Sequence, residues 1–237
     1  MKTARFISPA ANIQLMPILK EREKKIIAEK LSRSMENNVR LIVFTQDFEC
    51  EYCATNRELM EDLASLSDKI KLEVFDFEKD YEKAQKLGVD KIPATAVFGV
   101  REYGIRFFGV PIGYEFPALI DTIIDASRGT TKLQPTIKEK IKSIKEPVHI
   151  QVFVTPTCPY CPRAVRIAHQ LAIENEFIRA DMIEAIEFPQ LANKYDVMAV
   201  PKTIINDVIS FEGALPEQHF VEYIFSAIKP DRTINYR

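Results

Sequence analysis

The sequence predicts an α/β protein built from two similar units in tandem, each a central mixed β-sheet flanked by helices. The chain has 237 residues, enough for two domains of roughly a hundred residues or more. Two Cys-x-x-Cys pairs, Cys50–Cys53 and Cys158–Cys161, lie between strand-like and helix-like segments, and the sequence around them repeats. With 46% hydrophobic and 28% charged residues, the composition excludes a disordered or collagen-like chain.

Charge and hydropathy exclude two further classes of protein. The 32 Lys and Arg against 34 Asp and Glu give a formal charge of -2, which lacks the basic excess of a nucleic-acid-binding protein. The longest apolar runs fall far short of the roughly 18 residues that span a bilayer, so no membrane partner is expected. The segment Met1–Leu19 has no apolar core of a secretory signal, so a cytoplasmic location is expected. Only 7 glycines and abundant Lys and Glu are typical of a thermophile.

Each cysteine pair follows a predicted strand and precedes a predicted helix. Residues 39–45 and 148–155 are apolar and β-branched enough to be buried strands. After each pair, apolar residues recur at helical spacing, over 59–66 and 164–172. Because Pro159 suits the first position of a helix, the second of these helices is expected to begin at or just before Cys158. A helix N-terminus beside the first cysteine of each pair favours its thiolate, and the second cysteine is close enough to resolve a mixed disulfide.

An internal repeat relates the two halves of the chain. The offset of 108 residues between the cysteine pairs also maps Pro93 onto Pro201 and Thr95 onto Thr203. Beyond these prolines the offset becomes 104, with Gly109 matching Gly213, so the second half has a shorter loop. The predicted units are residues 1–132 and 133–237, each with one cysteine pair and one proline turn.

Zinc binding, inert disulfides and redox chemistry are the three common interpretations of Cys-x-x-Cys. A zinc ribbon usually brings two pairs together across roughly 15 to 20 residues, whereas these pairs lie at equivalent points of two repeats. A disulfide that closes so short a loop gives little entropic stabilisation, and cytosolic disulfides are commonly catalytic. Redox chemistry is therefore favoured, and no metal site is predicted.

The order strand, Cys-x-x-Cys, helix, strand, helix, proline turn, hairpin and helix resembles the thioredoxin fold, found twice. Ile92-Pro93 and Val200-Pro201 resemble the cis-proline turn that lies beside the dithiol in that superfamily. Two intact pairs, the second being Cys-Pro-Tyr-Cys, resemble the protein disulfide oxidoreductases of thermophilic archaea and bacteria. Glutaredoxins and the two-fold N-terminal module of alkyl hydroperoxide reductase flavoproteins share parts of this pattern.

The resemblance implies thiol-disulfide exchange on protein disulfides and dithiols. Cys50 or Cys158 attacks a substrate disulfide, and Cys53 or Cys161 resolves the mixed species. No cofactor is implied, and since the chain has no Gly-x-Gly-x-x-Gly fingerprint, electrons are expected from a thioredoxin-reductase-like flavoprotein. Two alternatives stay open, namely an electron shuttle between a flavin reductase and a peroxidase, and a scaffold whose cysteines only staple two folds.

Six residues are predicted to bind substrate. Ile92, Pro93, Val200 and Pro201 form the two turns, where the backbone of the preceding residue can pair with an extended segment. Tyr52 and Tyr160 lie between the paired cysteines and are either surface aromatics or platforms that substrates contact.

The identity of the proton acceptor is left open by the sequence. Thioredoxins carry a buried Asp ahead of the first cysteine, whereas this chain has Phe44 and Val152 at those positions. Carboxylates at the ends of later strands are alternatives, although such groups are usually solvated: Asp76, Glu78, Asp181 and Glu184. The three histidines have no partner motif and are expected on the surface: His149, His169 and His219.

The charges near the two pairs differ. Asp47, Glu49 and Glu51 surround Cys50, whereas Arg163 and Arg166 follow Cys158. Since negative charge disfavours a thiolate, Cys158 is expected to be the more reactive nucleophile.

Overall fold

The computed structural model describes residues 18–228, in which one eight-stranded sheet carries eight helices. The first half contains α1 (Glu21–Ser34), β1 (Val39–Thr45), α2 (Cys53–Ser65), β2 (Ile70–Asp76), α3 (Tyr81–Lys86), β3 (Ala94–Phe98), β4 (Gly104–Phe108) and α4 (Glu115–Arg128). The second half contains α5 (Pro135–Ile141), β5 (Val148–Val154), α6 (Cys161–Glu174), β6 (Ile178–Glu184), α7 (Pro189–Lys194), β7 (Lys202–Ile205), β8 (Ile209–Glu212) and α8 (Glu217–Ile228). The order of elements is the same in both halves, as the repeat predicts. The predicted division between residues 132 and 133 falls between α4 and α5.

The sheet is buried on both faces, which explains the continuous apolar runs of its central strands. In β1, Leu41 and Val43 belong to the larger core cluster, which includes residues of α2, α4, α6 and α8. Ile42 and Phe44 point the other way, into a smaller cluster that includes residues of α3 and α7. Phe44 packs there on Phe75, with ring centroids 5.7 Å apart. This position, which holds an acid in thioredoxins, is therefore a hydrophobic packing position in this chain.

The strand directions bring both cysteine pairs to the same edge of the sheet. The strand order is β2-β1-β3-β4-β6-β5-β7-β8. β1, β4, β6 and β5 run in one direction, whereas β3 and β7 run antiparallel to their neighbours. Both pairs follow the carboxyl ends of parallel strands, β1 and β5, and both proline turns precede the opposite strands, β3 and β7. Four interstrand steps separate β1 from β5, which corresponds to about 19 Å.

Parallel pairing of β4 with β6 joins the two halves into one sheet. Gly104 of β4 lies opposite Arg179, and a Cβ at Gly104 would come within 2.7 Å of the Ile178 carbonyl oxygen, so the close approach requires glycine. α4 packs against α6 across the same junction, where Gln170 donates a hydrogen bond to Asp125. The halves therefore share both a sheet and a helix layer.

No helix in residues 18–228 is both long and apolar enough to cross a bilayer.

Candidate active sites at one edge of the sheet

Both cysteine pairs form disulfides, Cys50–Cys53 and Cys158–Cys161, each with Cα atoms 5.5 Å apart. In each pair the first cysteine is the more accessible. Cys50 is partly exposed and Cys158 is 7% exposed, whereas Cys53 is 1% and Cys161 0% exposed. An incoming thiol or disulfide therefore reaches the first sulfur before the second.

The helix after the second cysteine pair begins three residues later than its prolines suggest. α2 begins at Cys53 and α6 at Cys161, so the expected start at or just before Cys158 is wrong. Pro159 lies in the turn between the cysteines, and Pro162 takes the second helical position, where the N–H that proline lacks would have no partner inside the helix.

The corrected start places the N-terminus of α6 directly against the first sulfur. The Cys161 N–H donates to Cys158 Sγ at 3.1 Å, so one of the free amides of the first helical turn points at this atom. Negative charge on Cys158 is stabilised by that amide and by the helix dipole.

Both X-Pro bonds are cis, as predicted, and at the second site the proline turn lies directly beside its cysteine pair. Cys158 Sγ lies 3.7 Å from the carbonyl oxygen of Val200. The Pro93 carbonyl accepts the Gly109 N–H at 2.9 Å, and the Pro201 carbonyl accepts the Gly213 N–H at 2.8 Å. These glycines have φ of +92° and +88°, which explains why the repeat keeps glycine at both positions.

The first site has a hydrogen bond that the second lacks. Asn56 of α2 is fully buried and donates to Thr95, just after the Pro93 turn, at 3.1 Å. The equivalent positions in the second half are Ala164 and Thr203, and the Thr203 hydroxyl has no partner among the described residues. The helix and the proline turn are therefore tied together by polar side chains only at the first site.

The two tyrosines occupy different environments. Tyr160 is 70% exposed, whereas Tyr52 is partly buried and packs against the larger core. Only Tyr160 presents most of its ring to a partner.

Two carboxylates from the second half lie beside the first site. Glu187 Oε1 accepts the Val110 N–H at 2.8 Å, and a Cβ on the neighbouring Gly109 would come within 2.6 Å of the Glu184 Cβ. Glu184 is 2% exposed and accepts the Glu187 N–H at 2.6 Å. The Gly109 N–H donates a hydrogen bond to the Pro93 carbonyl, so Glu184 and Glu187 pack against the proline turn of the first half. Glu184 Oε1 and Glu187 Oε2 have no hydrogen-bond partner among the described residues.

Burial keeps protons on these carboxyls at a higher pH than usual. Desolvation raises the pKa of Glu187 to about 7, and the charges of Glu184 and Glu51 act in the same direction. Desolvation also raises the pKa of Glu184. The pKa of Tyr52 is raised as well, first by Glu51 and then by burial, Glu187 and Glu184, which places the acid pair within electrostatic reach of the cysteine turn.

A further carboxyl, the buried Glu115, lies level with the second cysteine pair. α4 and α6 run side by side in the same direction, since Thr122 accepts from Arg166 at 3.0 Å and Asp125 accepts from Gln170 at 3.1 Å. Glu115 lies two turns before Thr122, so it is level with the start of α6 at Cys161. It is 2% exposed, its carboxylate oxygens have no partner in residues 18–228, and burial raises its pKa to about 8.

The carboxylates singled out in the sequence differ in their surroundings. Glu78 is exposed, and Asp76 binds Lys79 at 3.1 Å. Asp181 is 1% exposed rather than solvated and is paired with Arg106, while Glu184 is buried at the first site. No pattern in the sequence points to Glu115 or Glu187.

One histidine is not on the surface, contrary to expectation. His169 is fully buried, packs edge-to-face against Phe107 with ring centroids 4.7 Å apart, and has its pKa lowered by burial to about 3. His149 is partly buried and binds Asp181 at 2.6 Å, whereas His219 is exposed as expected. In residues 18–228 no group of three or more His, Cys, Asp or Glu is arranged to hold a metal.

Replacing Glu187 by Gln should remove a pH dependence from the first site. We expect the Glu187→Gln variant, in a Cys158→Ser/Cys161→Ser background, to exchange disulfides severalfold more slowly and to lose an inflection near pH 7, because the amide cannot accept a proton. The measurement is the rate of glutathione disulfide reduction between pH 5 and 9. Asp47→Asn, an exposed change near Cys50, is the control and should leave the inflection in place. An unchanged pH profile in Glu187→Gln would show that Glu187 is not the group responsible for the inflection.

Comparisons with known proteins agree with the fold. Residues 148–226 match a family model described as a thioredoxin domain. A protein disulfide oxidoreductase from Aeropyrum pernix is 33% identical, with a TM-score of 0.85 over 93% of this chain and 97% of that one. The alkyl hydroperoxide reductase protein AhpF of Enterococcus faecalis superposes with a TM-score of 0.81 over 87% of this chain and 99% of that one, at 23% identity.

Curated relatives match over part of their length. The alkyl hydroperoxide reductase AhpF protein of Staphylococcus epidermidis is 29% identical over 150 residues, and an NADH dehydrogenase of Bacillus subtilis is 27% identical over 149. These matches cover 63% and 62% of this chain, and 27% of each relative. The chain therefore matches about a quarter of the length of these proteins.

Proposed function

The chain belongs to the protein disulfide oxidoreductase family, and we propose that it reduces, forms or isomerises disulfides of protein substrates through both Cys-x-x-Cys pairs. The observation that carries this proposal is the repeated geometry at one edge of the sheet. Each pair forms a disulfide at a helix N-terminus beside a proline turn, with the first sulfur the more accessible.

The exchange needs no group besides the cysteines and a proton acceptor. The thiolate of Cys50 or Cys158 attacks one sulfur of a substrate disulfide, forming a mixed disulfide and releasing the other sulfur as a thiolate. The thiolate of Cys53 or Cys161 then attacks the sulfur of Cys50 or Cys158 in the mixed disulfide. This closes the disulfide within the pair and releases the second substrate sulfur as a thiolate. The substrate gains two electrons and the protein is left with a disulfide. The reverse sequence oxidises a substrate dithiol.

The buried carboxyls are the proposed proton acceptors for the resolving cysteines. Cys53 and Cys161 are inaccessible to solvent, so their thiol protons need an internal base. Glu187 beside the first site and Glu115 beside the second have pKa values of about 7 and about 8, close to neutral, where a group both takes and returns a proton efficiently.

The substrate-binding groups are the two proline turns and Tyr160. The Val200 carbonyl, 3.7 Å from Cys158 Sγ, lies where an extended substrate segment could pair with the backbone, and Ile92 occupies the equivalent position. Tyr52 is assigned a smaller role, because it is partly buried.

A flavoprotein of the thioredoxin-reductase type is the proposed electron donor, and the cytoplasm the proposed location. Reduction of a substrate leaves the cysteines oxidised, so turnover requires an external reductant. Catalytic cysteine pairs of this kind are the usual disulfides of the cytoplasm.

Insulin reduction tests the proposal. With dithiothreitol as the electron donor, the protein should accelerate precipitation of reduced insulin, and the variant with all four cysteines replaced by Ser should not. Equal rates for both proteins would contradict the proposal.

Transfer of electrons to a peroxidase is the second candidate, favoured by the match to the AhpF proteins of alkyl hydroperoxide reductases. It predicts peroxide-dependent turnover when a flavin reductase and a peroxidase are added, together with little insulin reduction. Fast insulin reduction without peroxide-linked turnover would exclude it.

A further inference from the structure

Large apolar side chains that stay exposed gather at the edge of the sheet that carries both disulfides. Six of them lie in loops at this edge, and we call them the apolar belt: Phe48, Ile112, Tyr114, Tyr160, Ile186 and Met198. Each is between 37% and 83% exposed. Single exposed apolar residues are ordinary, whereas a concentration of large ones at one edge points to a binding surface.

The apolar belt extends from one cysteine pair to the other. Phe48 lies two residues before Cys50, and Tyr160 lies between Cys158 and Cys161. Ile112 and Ile186 follow β4 and β6, the neighbouring strands in the middle of the sheet. The loop after β4 reaches the second site, since the Tyr114 N–H donates to the Pro156 carbonyl at 3.0 Å.

The opposite edge provides two comparable residues away from any cysteine. Val100 is in the β3–β4 hairpin and Val208 in the β7–β8 hairpin, with exposures of 58% and 55%. They are far from each other in the strand order, because β3–β4 and β7–β8 lie on different sides of the β6–β5 pair.

We propose that the apolar belt binds one unfolded, apolar segment of a substrate protein across both dithiols at once, an inference that rests on the proposed function. β1 and β5 are parallel and have equivalent neighbours, so the two sites present their proline turns in the same direction. A single chain can therefore meet both turns with one polarity. Its extended backbone, at about 3.4 Å per residue, covers the distance of about 19 Å with about six residues.

The apolar belt predicts how affinity should change on substitution. The probe is reduced, carboxymethylated α-lactalbumin, an unfolded protein without reactive thiols, and its binding is measured by fluorescence anisotropy. We expect Ile112→Ser/Ile186→Ser to raise the Kd about fivefold, since two exposed contacts are lost. The matched control Val100→Ser/Val208→Ser should keep the wild-type Kd. Equal values for the two double variants would overturn the proposal.

Reduction of glutathione disulfide separates this inference from the proposed function. Ile112→Ser/Ile186→Ser should reduce that small disulfide at the wild-type rate and insulin severalfold more slowly. A wild-type protein that reduces neither disulfide contradicts the proposed function, whereas equal insulin rates for wild type and variant contradict the apolar belt. A dimer that is lost on the same substitutions would show that a second copy covers the belt, and would also overturn the proposal.

Trapping of mixed disulfides tests whether one peptide binds at both cysteine pairs at the same time. The Cys53→Ser/Cys161→Ser variant keeps Cys50 and Cys158 but cannot resolve mixed disulfides. A peptide with two activated cysteines about eight residues apart should link to both, giving one peptide per chain by mass spectrometry. A peptide with adjacent cysteines cannot span the distance and should give two peptides per chain. Two copies of the longer peptide per chain would overturn simultaneous binding.

Discussion

Replacing Cys158 by Ser is expected to reduce the insulin-reducing activity at pH 7 about tenfold, whereas Cys50→Ser should keep most of it. The thiolate is the attacking form, so a thiolate fraction about tenfold larger on Cys158 than on Cys50 changes the rate by about this factor. The measurement is the initial rate of insulin reduction, together with the thiolate absorbance of each single variant as a function of pH.

The charges around the two sites support this order. At the second site the Cys161 N–H points at Cys158 Sγ and Arg163 lies in the following helix, whereas Arg166 is paired with Asp125. At the first site the acids of the sequence, such as Glu51, are joined by Glu184 and Glu187 from the other half. Every one of these carboxylates that is ionised disfavours a thiolate on Cys50.

Burial of Cys158 opposes the effect of the charges on its thiolate, so the outcome shows which of the two effects is larger. Cys158 is only 7% exposed, and desolvation raises the pKa of a thiol. If Cys158→Ser keeps most of the activity and Cys50→Ser loses it, burial outweighs the charges. The double variant Cys50→Ser/Cys158→Ser should be inactive and is the control for background exchange.

The repeat was the part of the fold that could be predicted from sequence, because it rests on local chemistry. A cysteine pair between a strand and a helix, and a proline before the next strand, recur at fixed offsets, and each is recognisable without tertiary contacts. The repeat also predicted the equivalence of Gly109 and Gly213, whereas both cis bonds were predicted from the resemblance to the thioredoxin fold.

The junction between the halves could not be predicted in this way. Pairing of β4 with β6 depends on which edges meet, and a single sequence carries no register for strands from different units. The close approach of β4 and β6 requires glycine at position 104, but in the sequence an isolated glycine near a strand has several explanations. Glu187 resembles a solvated surface acid in the sequence, because Gly109 and Val110, against which it packs, are distant along the chain.

The exact start of α6 was also beyond sequence reasoning. Pro159 and Pro162 both fit the first turn of a helix, so propensity alone does not choose between them. The structure selects Pro162, with the Cys161 N–H donated to Cys158 Sγ.

Replacing Asp181 by Ala is expected to lower the free energy of unfolding by about 3–5 kcal/mol, because it leaves the Arg106 guanidinium buried without its counter-ion. Arg106 and Asp181 are 2% and 1% exposed and connect β4 to β6 at the junction of the halves. Asp181 also binds His149 at 2.6 Å. Urea denaturation at pH 7, followed by circular dichroism, measures the change.

Asp121→Ala is the matched control. Asp121 forms an ion pair with Lys30 at 2.6 Å that joins α4 to α1, but both side chains are more than two-fifths exposed. Such a pair contributes about 0–1 kcal/mol. Similar losses in Asp121→Ala and Asp181→Ala would show that burial does not set the contribution of the Arg106–Asp181 pair.

Acid should reproduce the effect of the Asp181 substitution. The positive charge of Arg106 and the hydrogen bond from His149 outweigh desolvation and lower the pKa of Asp181 below its ordinary value. A carboxyl with a lowered folded-state pKa stabilises the fold above its unfolded pKa of about 3.9, and this contribution is lost as the pH falls through the folded value. The wild-type protein should therefore lose stability below about pH 4 more steeply than Asp181→Ala, so that their unfolding midpoints converge in acid. Parallel curves would mean that folding does not shift the pKa of Asp181, and the junction would then be held by the β4–β6 backbone pairing and the α4–α6 contacts rather than by the ion pair.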